Sequence, residues 1–130
     1  MKFIFKTILI AALATLLQTF FPWWSMAIAA FTISCFIYTK GFNSFFAGFI
    51  SISLLWSIKA YYIDIANEQI LSNKIASLFT TSPSFTITPL LLVIITGVIG
   101  GLVAGFSSLT GSTFIGMFKI TKKTKNKYYS

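Results

Sequence analysis

Histidine and arginine are missing from this 130-residue chain, and acids nearly so: Asp64 and Glu68 are the two carboxylates against ten lysines, giving a net charge of +8. Without histidine, and with a lone Cys35 inside an apolar run, acid–base, metal and thiol mechanisms all lack parts, so no catalytic, metal-binding or cofactor-binding residue is assigned. The segment GFSSL at 105–109 is not the Gly-x-Ser-x-Gly elbow of a serine hydrolase. A single cysteine excludes an internal disulfide, and Cys35 reads as a small buried hydrophobe. The absence of arginine also removes the arginine-and-aromatic groove that binds nucleic-acid strands, so no nucleic-acid partner is expected. Charge is scarce altogether: 9% of residues are charged and 56% are hydrophobic, where a soluble domain has about a quarter charged. Lipid is the expected solvent, and anionic headgroups the expected counter-charge.

Four hydrophobic stretches are present, and the lysines gather at one set of their ends. If the chain crosses four times, Lys2, Lys6, Lys40, Lys119, Lys122, Lys123, Lys125 and Lys127 share a side, leaving Lys59 and Lys74 for the other. Basic residues in short loops stay cytoplasmic, so both termini are expected inside. The start resembles a secretion signal, but its apolar run continues past Ala14 to the aromatic pair Trp23-Trp24, as a retained span does.

The first span is predicted from about Phe3 to Phe21, with Lys6 snorkelling to the inner surface. Pro22-Trp23-Trp24 reads as an outer turn, and a second span from about Trp23 to Tyr38 returns to Thr39-Lys40-Gly41, giving an antiparallel hairpin. The third runs from Phe42 to about Tyr62. The fourth is introduced by Ser82-Pro83-Ser84 and begins at Thr88-Pro89. From Pro89 to Phe118 is about 45 Å of helix, longer than a ~30 Å hydrocarbon core. A break at Gly111 is therefore expected, with a span of Pro89 to Thr110, an amphipathic exit and a disordered lysine-rich tail. The fold class is an all-α membrane protein of four transmembrane helices, a single domain over residues 1–118 followed by a basic cytoplasmic tail over 119–130. No internal repeat is visible.

Between the third and fourth spans, Ile63, Ile70, Leu71, Ile75, Leu78 and Phe79 recur at helical intervals, predicting an amphipathic helix over Ile63 to Phe79 that lies on the outer leaflet. It is either a plain connector or a docking surface. Trp56, Lys59, Tyr61, Tyr62, Asp64, Asn67 and Glu68 concentrate the outward lysine, both acids and three aromatics, and are the candidate partner-binding residues. Lys59 and Asp64 could meet across a bend. Gly97, Gly101 and Gly105, continued by Ser108, Ser112 and Gly116, form a small-residue face at four-residue spacing for close helix packing, against another span or a second molecule. Ser51, Ser53, Ser57, Thr96, Ser107, Ser108 and Thr110 are the hydroxyls available to line a channel, although such groups more often bond to their own helix.

The segments LLQTFFPWW at 16–24, DIANEQILSNKIA at 64–76 and GGLVAGFSSLTG at 100–111 together resemble small four-span bacterial inner-membrane proteins. The resemblance implies a fold and a location but no activity. The expected role is a non-enzymatic subunit or accessory of a larger membrane complex, in contact with lipid and with other membrane proteins or copies of itself; the alternative is a small oligomeric channel or transporter subunit, or a holin-like pore former.

Overall fold

A computed structural model of the chain describes residues 1–80 and 87–128, with side chains as far as residue 125. The Ser82-Pro83-Ser84 segment lies outside the described residues. The elements are five helices: α1 (Lys2–Phe20), α2 (Ser25–Phe36), α3 (Gly41–Ala66), α4 (Ile70–Phe79) and α5 (Pro89–Tyr128). α1, α3 and α5 are long and apolar enough to cross a membrane, which is what a membrane protein requires. α2 has 12 residues, about 18 Å, and is shorter than a hydrocarbon core.

Most large apolar side chains point outward and most buried positions are small, with Ile10, Met26 and Ile52 as enclosed exceptions. Phe5, Ile8, Leu16, Leu54, Ile58, Ile99 and Phe106 are exposed, whereas the buried positions include Ala14, Ala29, Ala30, Ala47, Ala104 and several serines. In lipid, burying a leucine gains nothing, so helices associate through small residues that let backbones approach. α3 and α5 form the main contact and run antiparallel. A Cβ added at Gly97 would meet Ser57 and Ser53, one at Gly101 would lie 2.9 Å from the Phe49 carbonyl oxygen, and one at Gly105 2.8 Å from the Phe45 ring. From the other side, a Cβ at Gly48 would lie 2.5 Å from the Ala104 carbonyl oxygen. α1 and α3 run parallel: Lys6 bonds Ser44, the Ser51 hydroxyl donates to the Thr7 carbonyl, and Lys59 bonds Gln18.

Two expectations are corrected. α5 does not break at Gly111; it continues without interruption through Tyr128, so residues 119–128 are helical and not a disordered tail. Gly111 serves close approach instead, since a Cβ there would lie 2.6 Å from the Phe31 carbonyl oxygen on α2. The amphipathic helix is not continuous from Ile63 to Phe79. α3 ends in a Schellman closure, with the Gln69 amide donating to the Asp64 carbonyl and the Glu68 amide to that of Ile65. Glu68 and Gln69 take φ of 52° and 57°, a left-handed conformation that glycine usually supplies at this position. The chain thus turns before α4 begins.

Candidate functional site

The end of the bundle at which α1 begins is organised by Lys6. It lies one turn into α1, on the stripe that continues through Ile10 and Ala14, and it is 0% exposed. The expectation that it snorkels to the inner surface is therefore overturned. Its ammonium has three protons to donate, and each finds a hydroxyl: Thr39 Oγ1 at 2.9 Å, Ser44 Oγ at 2.6 Å and Ser112 Oγ at 3.1 Å. These partners come from the α2–α3 connection, α3 and α5, so one cation ties three other segments to α1.

The hydroxyls extend the network. Ser44 donates to the Ser108 carbonyl at 2.8 Å while Ser108 donates to the Ser44 carbonyl at 2.7 Å, a reciprocal link between α3 and α5. Ser34 on α2 lies 2.6 Å from the Ser108 hydroxyl, and Ser112 lies 2.6 Å from Ser44. Ser34, Ser44, Ser108 and Ser112 are all fully enclosed. Ordering these groups gives each hydroxyl proton a destination, so the layer supports a buried charge with oxygen dipoles instead of a carboxylate. Next to this layer, Cys35 Sγ sits 3.7 Å from the Gly111 carbonyl oxygen, half-buried and not lost in the core. Tyr38 covers Gly116, and the Lys119 ammonium stands 5.1 Å from its ring centroid.

The opposite end, at the last turns of α3, is more open. The last turns of α3, α4 and the first turns of α5 enclose a cleft of about 240 Å³, lined by Ile63, Asp64, Asn67, Leu71, Ser72, Ile75, Pro89, Leu92 and Val93 among others. α5 starts at Pro89 because proline has no amide proton to leave unpaired there, and the Thr88 carbonyl accepts the amides of Leu91 and Leu92. Asp64 is half-buried in the cleft wall and accepts a hydrogen bond from the Ser72 hydroxyl, which fastens α4 to α3.

The candidate partner-binding residues divide into two groups. Trp56 and Lys59 turn into the bundle. The Trp56 ring packs on Gly100, where an added Cβ would lie 3.0 Å from it, and Lys59 Nζ donates to Gln18 Oε1 at 2.8 Å. Lys59 and Asp64 therefore do not meet across the bend: each has its own partner. Tyr61, Tyr62, Asn67 and Glu68 are exposed around the rim, Tyr62 to 75%. Of the hydroxyls considered as channel lining, Thr96, Ser107 and Thr110 donate to carbonyls of their own helix, Ser51 to Thr7 and Ser108 to Ser44.

Sequence reasoning missed Lys6, Ser34, Ser44 and Thr39 as a group. A signal was available: an ionisable residue inside a span is by default a functional-site hypothesis, and Lys6 shares four-residue spacing with Ile10 and Ala14. No protein-family model matches this chain, and no curated protein or solved structure matches it either.

Proposed function

We propose that the protein is a non-enzymatic, four-crossing membrane protein that serves as a subunit or accessory of a larger membrane assembly. Both termini are cytoplasmic in a bacterial inner membrane, and the α3–α4–α5 cleft faces outward. Residues 21–40 are the second crossing in this reading. α1 and α3 run parallel, so the chain has to return between them. The 12 residues of α2 supply ~18 Å and the eight flanking non-helical residues up to ~26 Å more. The helices then pair as two antiparallel hairpins, α1 with α2 and α3 with α5. Eight of the ten lysines fall inside.

The observation that carries the docking role is the contrast between the two ends. At the inner end Lys6 and four serines are used up on one another, while the outer end leaves an open cleft with a half-buried carboxylate, exposed Glu68 and exposed Tyr61 and Tyr62. An apolar partner segment carrying a lysine or arginine has the complementary chemistry. The double variant Asp64→Asn with Glu68→Gln is expected to insert and fold, because an amide oxygen at 64 can still accept from Ser72 and the exposed charge at 68 contributes about 0–1 kcal/mol. It should lose at least about tenfold of the membrane protein that co-purifies with wild type. Equal recovery of the same partner would make the outer helix a connector only. Ion flux through liposomes holding the protein alone would replace the accessory reading with a pore-forming one.

A further inference from the structure

At the outer end of α1 and α3 the hydrogen-bond donors outnumber the acceptors. Among the described residues, Gln18 Oε1 is the one partner of the Lys59 ammonium, which has three protons to donate. The other end of the same amide, Gln18 Nε2, is enclosed by protein and has no partner among the described residues. The half-buried Lys59 ammonium is the reachable donor of the pair, and its two spare protons call for an acceptor. No acidic side chain serves them: Asp64 is taken by Ser72, and Glu68 stands exposed in the turn beyond α3.

The depth of this pair selects the acceptor. α1 has 19 residues, about 28 Å, which matches the ~30 Å hydrocarbon core, and Gln18 lies two residues from its outer end. Trp23 and Trp24 follow immediately, and Tyr61 and Tyr62 flank Lys59 on α3, all exposed, as an aromatic belt at headgroup depth requires. The half-buried Lys59 ammonium is fixed at the level of Gln18 by its 2.8 Å bond to Gln18 Oε1. At that level the abundant oxyanion is the phosphate of a phospholipid.

Resting on the topology proposed above for its leaflet, we infer that Lys59, held by Gln18, forms a binding site for the phosphate group of an outer-leaflet phospholipid. The ammonium donates its two remaining protons to the phosphate oxygens while Gln18 Oε1 keeps it in place. The site is independent of whether a protein docks in the neighbouring cleft.

Thermal unfolding of delipidated protein in detergent, titrated with phosphatidylglycerol, phosphatidylcholine, diacylglycerol of the same chains, or inorganic phosphate, tests the site. Both phospholipids should raise the midpoint of wild type, and diacylglycerol should not. Lys59→Met is expected to need about tenfold more phospholipid for the same rise, while Lys59→Arg stays near wild type because it keeps the charge and donors. Gln18→Leu removes the unpaired amide, so it folds, and it too should respond more weakly to phospholipid. Lys122→Gln with Lys123→Gln, at the opposite end, should leave the response intact. An unchanged phospholipid response in both Lys59→Met and Gln18→Leu, or an equal rise with diacylglycerol, would overturn the inference. The same rise with inorganic phosphate alone would assign the site to a free anion and overturn the lipid.

Discussion

Replacing Gly48 with alanine should lower the melting midpoint of the purified protein by roughly 5–15 °C, the equivalent of about 1–3 kcal/mol of overpacking. The added methyl would lie 2.5 Å from the Ala104 carbonyl oxygen and 2.7 Å from Ser108 Cβ. The first of these contacts is to backbone, which cannot rotate away, so α3 and α5 must separate, and the reciprocal Ser44–Ser108 link beside them stretches as well. Gly101→Leu should fail more severely for the same reason, with the Phe49 carbonyl in its path. Two controls fix the interpretation. Gly41→Ala meets only Leu109 at an ordinary 3.5 Å, and Val98→Leu points outward from a residue 41% exposed; both should stay within about 0.5 kcal/mol of wild type or gain slightly. Equal midpoints for Gly48→Ala and Gly41→Ala would show that the tight crossing of α3 and α5 is not a feature of the folded protein.

The second large effect concerns the buried lysine, and its order is counter-intuitive: deleting a small hydroxyl should do more harm than deleting the charge. Ser44→Ala removes the nearest acceptor of Lys6, at 2.6 Å, and leaves the ammonium enclosed with one proton unmatched. A buried donor left without its partner costs about 1–3 kcal/mol, and more when it is charged, whereas removing the charged donor itself leaves neutral hydroxyls that can bond one another. Lys6→Met does so. It keeps an unbranched chain in the space, and Ser44, Ser108 and Ser112 can still bond one another. The double variant should therefore be more stable than Ser44→Ala alone, with a coupling of about 1–3 kcal/mol. Unfolding of the three variants in denaturing detergent checks this; additivity within ~0.5 kcal/mol, or Lys6→Met as the worst variant, would contradict the role assigned to the layer.

Which parts of this architecture were legible follows from how local each signal is. Runs of apolar residues mark α1, α3 and α5, and Thr88-Pro89 marks the start of the last, because span length and a proline's missing proton are properties of neighbours in sequence. The small-residue face on α5 was visible as spacing. Its partner was not, since nothing in Gly97, Gly101 or Gly105 names Ser53, Phe49 or Phe45. Gly111 was misread because glycine lowers helix propensity and also permits close approach, and the choice rests with Phe31, eighty residues earlier. The enclosure of Lys6 depends on Ser44 and Ser112, 38 and 106 residues away. Read locally, a lysine one turn into a span snorkels; only the crossing of three other segments over it removes the water. The turn at 67–69 contains neither glycine nor proline, so the apolar rhythm from Ile63 to Ile70 ran straight across it.

Topology reporters test the proposed function most directly, because the side on which the cleft opens and the leaflet that Lys59 meets both depend on which segments cross and in which direction. Fusions placed after Lys40, after Lys74 and at the C-terminus are expected to read inside, outside, inside. Outside, inside, outside would contradict the proposed topology; a fourth reporter at the N-terminus then separates three crossings with α2 along one surface, which keep that end inside, from the whole bundle inverted, which puts it outside.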